Sequence, residues 1–220
     1  MDNTLKEYED KIRDIEIYYN YLKDNEFNMS VEVSKILKAN MFLMLYNLIE
    51  STVNNSLEAI HNAINNEKLN FEQCIDEIKA LWVEYKHQKF EQKKSSEIIK
   101  SIYQIKSEII SIDYKKFQEK KLNGISGNLD AKKIRENINP KYSISENKRV
   151  EGKKLVEIKN KRNSLAHGEV SFSTLGQRYS IKDLEKYYKE CKLFLKEYLS
   201  NVEKYIKNKK YRLNSTTNII

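Results

Sequence analysis

Glycine and proline are scarce in this chain of 220 residues, and their scarcity restricts the fold. Five glycines and one proline provide few positions for tight turns, which argues against the many short strands and turns of a β-sandwich or β-barrel. Charged residues make up 33% of the chain. This combination is typical of long helices that are joined by short loops, and we therefore expect an all-α fold.

Cysteines and long apolar runs are also few. Cys74 and Cys191 stand alone, without the CxxC or Cys/His spacing of a metal site, so we expect two buried thiols in a reducing compartment, no metal and no cofactor. The first residues are too charged for a signal peptide, and the most apolar stretch, 41–49, is too short to span a bilayer. These features predict a cytoplasmic protein without a membrane partner.

Positive charge is abundant. The formal net charge of +8 is suited to a polyanionic partner such as RNA. A lysine-rich composition would produce the same excess without any such partner, so charge alone leaves both interpretations open.

Apolar residues recur at three- and four-residue spacing along most of the chain, as they do on the buried face of a helix. The predicted helical segments are 3–25, 30–65, 70–90, 91–121, 129–137, 152–167 and 180–206. The second is the longest and most hydrophobic, which indicates a central core helix. We therefore expect an antiparallel helical bundle in a single domain, 1–206, followed by a flexible basic tail, 207–220.

Polar residues at several segment boundaries predict where the helices begin. The predicted N-caps are Ser30, Asn70, Asn128 and Ser180. Gln73 and Asp183, each three residues after its cap, suggest two capping boxes. Pro140 is expected to stop the helix that starts after Asn128, and residues 168–179 are expected to form a loop.

The stretch 152–176 carries the residues on which the predicted function depends. Its predicted helix carries Arg162, Asn163 and His167 in the last turns, and Gly168 is placed to end it as a left-handed C′ residue. Four of the six arginines fall within 44 residues that include this helix, although lysine is common everywhere. Arginine differs from lysine in gripping a phosphate in two places. The pattern therefore suggests phosphate chemistry.

The motif RNSLAHG (162–168) resembles the Arg-x4–6-His signature of the HEPN superfamily of small helical ribonucleases. Its surroundings resemble the solo, MAE-type branch of that superfamily. The similar blocks are KANMFLMLYNLIEST (38–52), ISGNLDAKKIRE (125–136), LVEIKNKRNSLAHG (155–168) and SFSTLGQRYSIKDL (171–184). The resemblance covers about residues 30–200 and is loose in 66–121.

The resemblance implies a HEPN-like fold and a metal-independent endoribonuclease whose site is shared by two protomers of a homodimer. It further implies cleavage of RNA with a 2′,3′-cyclic phosphate end, in a toxin or anti-phage defence effector. A cognate antitoxin or regulatory protein would then be a candidate partner. Lys161 and Arg178 are candidates for binding the RNA.

The chemistry of the residues agrees with this implication. His167 is suited to acid/base catalysis near neutral pH, Arg162 to stabilising the charge of a phosphorane, and Asn163 to positioning. Residues 162 and 167 are about 140° apart around a helix axis, so one helix does not aim both side chains at the same atom. Asn163 and His167 are four apart and share a face.

Each assignment has a structural alternative. His167 is also suited to satisfying the last carbonyls of the helix, Arg162 to a surface ion pair, and Arg178 to a solvated loop. Glu50 either orients Arg162 or His167, as the resemblance suggests, or is a boundary residue of the central helix.

Four further polar residues receive structural interpretations. Asn128 and Asp130 are interpreted as helix-start residues rather than catalytic ones. His61 and His87 lack partners at ligand spacing and are expected to be exposed or interfacial.

Two other functions remain open from the sequence. One is a non-catalytic HEPN-like module that binds a protein partner or RNA. The other is a nucleic-acid-binding structural protein, whose binding would weaken steeply with salt and would not depend on His167.

Overall fold

The computed structural model describes residues 1–86, 94–125, 127–146 and 148–213. Within these ranges every regular element is a helix, and two isolated β-bridges are the only strand-like pairings. The α-helices are α1 (Asp2–Asp24), α2 (Val31–Glu67), α3 (Asp76–Lys86), α4 (Ser95–Ser107), α5 (Tyr114–Glu119), α6 (Ala131–Lys133), α7 (Asn139–Tyr142), α8 (Lys153–Ala166), α9 (Phe172–Gly176) and α10 (Ile181–Lys207). The predicted all-α fold is confirmed.

Helix α2 is the centre of the bundle, as its hydrophobicity predicted. The Ser30 hydroxyl accepts a hydrogen bond from the backbone N–H of Val33 at 3.3 Å and so caps its first turn. Leu45, Ile49 and Val53 are fully buried along its core face. Because α1, α8, α9 and α10 all pack on α2, it is the element from which the position of the candidate site is set.

Helix α10 closes the bundle and carries the chain into the predicted tail. Ser180 and Asp183 form the expected capping box at its start. Residues 208–213, which the sequence assigned to a flexible tail, pack on the bundle: Tyr211 is buried, and its hydroxyl donates to Glu67 at 3.0 Å. Arg212 pairs with the same carboxylate. Residues 214–220 lie outside the described part.

The region between α2 and α5 differs from its prediction. Asn70 and Gln73 do form a capping box, but it opens a 3₁₀ turn, Phe71–Gln73, and α3 begins separately at Asp76. The helix predicted over 91–121 is divided into α4 and α5. The intervening chain is extended, with the Ile110 N–H bonded to the Leu69 carbonyl at 2.8 Å. β-branched residues tolerate this extended backbone well. Residues 87–93, where the two predicted helices meet, are not described.

The helix after the 122–130 loop corrects two predictions. Its N-cap is Asp130, not Asn128, since the Asp130 carboxylate accepts the Lys133 N–H at 2.9 Å. Pro140 does not stop it: a π-helical turn, Ile134–Ile138, leads directly into α7. The Asn139 N–H bonds five residues back, to the Ile134 carbonyl. This places Pro140 in the first turn of the following α-helical segment, where its missing N–H is tolerated.

Both cysteines are free and buried, as predicted. Burial raises the pKa of the Cys74 thiol to about 11. Of the described helices, none combines the length and the apolar character needed to cross a membrane.

The prediction for His61 is wrong, because its side chain is only 1% exposed. Its Nε2 lies 2.8 Å from the Tyr142 hydroxyl, and its ring packs between Tyr114 and Phe117. Position 61 lies on the core face of helix α2. The Tyr142 hydroxyl replaces a hydrogen bond that the His61 imidazole would make to water in the unfolded chain. His87 lies outside the described residues.

Candidate active site at the end of helix α8

Helix α8 ends as its glycine predicted. Gly168 has φ +70°, and the N–H groups of Gly168 and Glu169 bond to the carbonyls of Leu165 and Ser164 at 3.2 and 2.9 Å. This is a Schellman motif. The backbone therefore satisfies these carbonyls without help from the imidazole of His167, which counts against a purely structural role for that side chain. His167 is exposed, and its ring is hydrogen-bonded to none of the described residues.

The guanidinium of Arg162 packs against the face of a buried aromatic ring. Its guanidinium carbon lies 4.2 Å from the centroid of the Tyr46 ring, a distance suited to a cation–π contact. Tyr46 is itself fixed, because it is fully buried on α2 and its hydroxyl accepts the Leu129 N–H at 3.2 Å. Burial raises the pKa of the Tyr46 phenol, so this hydroxyl remains protonated at neutral pH.

One edge of the Arg162 guanidinium donates hydrogen bonds to the protein. The other, open edge donates none to the described residues. Nη1 donates to the Gly127 carbonyl at 3.2 Å and to Asn163 Oδ1 at 2.9 Å. Among the described residues, no acceptor bonds to Nη2 or Nε, and no carboxylate pairs with this arginine. The surface ion pair considered from sequence is therefore not formed with any described residue. A guanidinium with one fixed edge and one open edge is suited to gripping an oxyanion.

Asn163 links Arg162 to the loop that precedes α6. Its Oδ1 accepts from Arg162, and its Nδ2 donates to Asn128 Oδ1 at 2.6 Å. The same loop is tied to α8 a turn earlier, where Lys159 Nζ lies 2.7 Å from an Asp130 oxygen. Burial raises the pKa of the Asp130 carboxyl, but the bonds from Lys159 and from the Lys133 backbone outweigh burial and lower it.

The described structure joins Arg162 and Asn163 but leaves His167 apart from them. Among the described residues, no hydrogen bond connects the imidazole of His167 to either side chain. This agrees with helical geometry, in which His167 projects about 40° from Asn163 but about 140° from Arg162. Arg162 and His167 therefore project from helix α8 in different directions.

Lys161 and Arg178, the two candidate RNA-binding residues, line one cavity. It has a volume of about 400 Å³, and its polar lining includes Ser164, Ser171 and Thr174 as well as these two cations. Glu169 also lines it and accepts a hydrogen bond from Ser164 at 2.9 Å. The cavity lies between the end of α8 and the chain that follows.

The predicted loop over 168–179 contains a short helix, which corrects that expectation. Ser171 caps α9 by accepting the Thr174 N–H at 3.1 Å. A Cβ on Gly176 would lie 1.8 Å from the Lys35 carbonyl oxygen, so only glycine lets α9 approach α2 this closely. The tight contact explains why a segment without a long periodic pattern is helical, and it positions Arg178.

Glu50 lies one helical turn along α2 from Tyr46 and is not bonded to the motif. Its side chain is half-buried on α2, and it forms neither a hydrogen bond nor an ion pair with any residue in the described ranges. It lines a second, open cavity of about 550 Å³ together with other polar residues of α2. No contact of Glu50 with Arg162 or His167 is present.

Sequence reasoning missed the support beneath the motif: Tyr46, Gly127 and the Lys159–Asp130 pair. Three of these residues lie in two of the sequence blocks that carried the resemblance, 38–52 and 125–136. Membership of those blocks was the sequence feature that could have identified them. In the described part of the chain, no three His, Cys, Asp or Glu side chains are grouped as metal ligands would be.

The comparisons with known proteins give one match. The family model described as HEPN_MAE_28990/-like HEPN matches residues 1–211. No curated protein and no solved structure matches the chain.

Proposed function

Because the chain belongs to the HEPN_MAE_28990/-like HEPN family, we propose that it is a metal-independent endoribonuclease whose cutting site is built around Arg162, Asn163 and His167. The observation that carries this proposal is the clamped guanidinium of Arg162, stacked on Tyr46 with Nη1 occupied and the opposite edge open. A cation that is oriented before substrate arrives stabilises developing charge without reorganisation.

The proposed reaction is a transesterification within the RNA. The neutral imidazole of His167 takes the proton of a ribose 2′-OH, whose oxygen attacks the adjacent phosphorus. The open edge of Arg162 binds the equatorial oxygens of the phosphorane. The bond from phosphorus to the 5′-oxygen then breaks, that oxygen takes a proton from water, and the His167 imidazolium returns its proton to the solvent. The products are a 2′,3′-cyclic phosphate and a 5′-hydroxyl end.

A homodimer would complete this site. Arg162 and His167 diverge around α8 in one protomer, and His167 is exposed. Two copies related by a two-fold axis would bring the Arg162 of one protomer towards the His167 of its partner. Asn163 Oδ1, which already accepts a hydrogen bond from Arg162 Nη1, would keep the guanidinium in its present orientation.

The cavity lined by Lys161 and Arg178 is proposed to hold a neighbouring phosphate of the same RNA strand. Two cations and three hydroxyl groups outnumber the one carboxylate of this lining, Glu169, which suits a phosphate diester, and the net charge of +8 favours approach of a polyanion. In biological terms we propose a toxin or anti-phage defence effector, restrained by a cognate antitoxin or regulatory protein.

The deciding experiment is cleavage of labelled single-stranded RNA and tRNA in EDTA, with analysis of the product ends. Wild type is compared with His167→Ala and with Arg13→Ala, a control whose arginine is exposed on α1 and pairs only with Asp10 among described residues. We expect cyclic-phosphate ends from wild type and Arg13→Ala, and none from His167→Ala.

Two other results would argue against the proposal. Equal cleavage by wild type and His167→Ala would remove His167 from the mechanism or reveal a contaminant. RNA binding without cleavage by wild type would favour the non-catalytic HEPN-like module.

A further inference from the structure

A polar stripe interrupts the hydrophobic surface of α2 beside the Arg162 support. Asn47, Glu50, Ser51, Asn54, Asn55 and Glu58 line the open cavity of about 550 Å³, which we call the α2 groove. All except Asn47 are half-buried. Their i, i+3, i+4 and i+7 spacing places them on one face of the helix. Asn54 and Asn55 bond to neighbouring elements, whereas Glu50 bonds to no described residue, so packing does not account for its carboxylate.

The α2 groove begins one helical turn from the ring that supports Arg162. Tyr46, Glu50 and Asn54 are four residues apart, so they follow one another along the same face at steps of about 6 Å. A nucleotide whose phosphate meets the open edge of Arg162 can therefore extend its base over Glu50 and Asn54.

Asn54 lines the groove with its amide oxygen engaged and its amide nitrogen free of hydrogen bonds to the described residues. Its Oδ1 accepts hydrogen bonds from the Tyr114 hydroxyl at 3.0 Å and from the amides of Gln118 and Asn123 at 3.4 Å each. Tyr114 and Gln118 line the same groove, and with its oxygen engaged by them Asn54 keeps Nδ2 as a donor that bonds to no described residue. One turn earlier, the Glu50 carboxylate accepts no hydrogen bond from any described residue. The α2 groove thus offers two acceptor oxygens beside one fixed donor.

This arrangement discriminates between bases. The Watson–Crick edge of guanine carries two adjacent N–H donors, N1–H and the 2-amino group, beside the O6 acceptor. Adenine and cytosine present one amino group next to an acceptor, and uracil presents one N–H between two carbonyls. Only guanine fills both oxygens of a carboxylate while accepting from a neighbouring amide. Glu50 and Glu58 outnumber Lys11, the one cation in the lining given for this cavity, so the α2 groove is better suited to a base than to a phosphate of the RNA backbone.

We propose that the α2 groove is a guanine-recognition subsite, in which Glu50 accepts from N1–H and the 2-amino group and Asn54 donates to O6. The inference rests on the proposed ribonuclease function, and it assigns Glu50 a role in base selection rather than in orienting the motif. It predicts cleavage at a fixed position relative to guanine.

The test replaces guanine by inosine, which lacks only the 2-amino group, in short single-stranded RNAs that carry one guanine. Binding is measured by fluorescence anisotropy with His167→Ala protein, so that no RNA is consumed, and cleavage is measured with protein that retains His167. Each measurement is repeated with Glu50→Gln and with Asn54→Asp, which keeps the accepting oxygen but removes the donor. Glu203→Gln on α10, an exposed glutamate far along the chain from the groove, is the matched control.

We expect the guanine RNA to be bound and cut about tenfold better than the inosine RNA, since a well-placed bidentate contact discriminates by roughly that factor or more. Glu50→Gln and Asn54→Asp should reduce this ratio towards one, and Glu203→Gln should preserve it. Cleavage that ignores the base, or a Glu50→Gln protein that loses activity equally on both RNAs, would overturn the subsite and leave the ribonuclease proposal intact. Guanine-dependent binding without cleavage by wild type would overturn the ribonuclease proposal and keep the subsite. If wild-type protein cleaves no RNA and the binding measurements show no preference for guanine, both proposals are overturned.

Discussion

The guanidinium carbon of Arg162 lies 4.2 Å from the centroid of the Tyr46 ring, which joins the end of α8 to the middle of the central helix. The ring is fully buried and its hydroxyl is bonded to the backbone of Leu129. The arginine is therefore positioned by the core of the bundle and not by a mobile surface partner. The effects expected for substitutions at Arg162 and Tyr46 depend on this contact.

Replacing Arg162 by lysine should abolish most activity while preserving the fold. Lysine keeps the charge but loses the stacked plane and the fork that grips two oxygens. Loss of one preorganised donor to a transition-state oxyanion costs about 100-fold or more in rate. Cleavage rates and thermal melts of Arg162→Lys and of the control Arg13→Lys would check this. A melting temperature that drops sharply in Arg162→Lys alone would identify a structural residue.

The two functions of Tyr46 should separate in two variants. Tyr46→Phe keeps the ring under Arg162 but leaves the buried Leu129 N–H without its acceptor, which costs about 1–3 kcal/mol of stability. Tyr46→Leu also removes the aromatic face, so its cleavage rate should fall further than that of Tyr46→Phe. Urea unfolding and cleavage rates measured on both proteins test the separation. Equal rates in the two variants would show that the stack is not used.

Adding a methyl group at Gly176 should destabilise the protein more than adding one at Gly168. A Cβ at Gly176 meets the Lys35 backbone at 1.8 Å, whereas Gly168 has open space and a left-handed backbone. We expect Gly176→Ala to cost at least about 3 kcal/mol and Gly168→Ala about 1–2 kcal/mol. Chemical denaturation of both variants gives the comparison. The reverse order would mean that α9 is not held tightly against α2.

Buried His61 should make the protein sensitive to mild acid. Burial lowers its pKa to about 4, whereas an imidazole in the unfolded chain titrates near 6.5. Between these values the unfolded state binds a proton that the folded state does not, so stability falls as the pH decreases from about 6.5 to about 4. The decrease in unfolding free energy on acidification should be smaller in His61→Gln. Unfolding free energies of both proteins at pH 7, 5.5 and 4.5 measure it, and parallel curves would contradict it.

Lys161 and Arg178 should contribute to RNA affinity through phosphate contacts. Replacing both by alanine should weaken binding to RNAs of different sequence alike and reduce the slope of log affinity against log salt by about two. Arg149→Ala/Lys153→Ala, which removes two cations near the other end of α8, is the matched control. Binding titrations at several salt concentrations on His167→Ala background give the slopes. An unchanged slope would exclude the cavity from the RNA path.

The fold followed from the sequence for the long helices and their ends, although the periodic stretch 91–121 is divided between α4 and α5. The start of α2 at Ser30, the capping box of α10 and the C-terminal glycine of α8 were all predicted, because caps are local contacts between residues a few positions apart. The short elements were not. Asp130 caps in place of Asn128, a π turn carries the chain through Pro140, and α9 is helical because Gly176 fits against Lys35. Each of these outcomes depends on a neighbour that is distant in sequence or on a backbone geometry without a pattern of its own.

For the candidate site, the sequence by itself determined which side chains are available: Arg162, Asn163 and His167 at the end of one helix, with Lys161 beside them and Arg178 shortly after. Their spacing also set the divergence of arginine and histidine, because helical geometry is local. Only the tertiary structure decided what surrounds them. It placed Tyr46 beneath Arg162, brought Lys161 and Arg178 to one cavity and set Glu50 in the α2 groove. These relationships join segments separated by many residues, and packing of the whole bundle, rather than any local preference, fixes such distances.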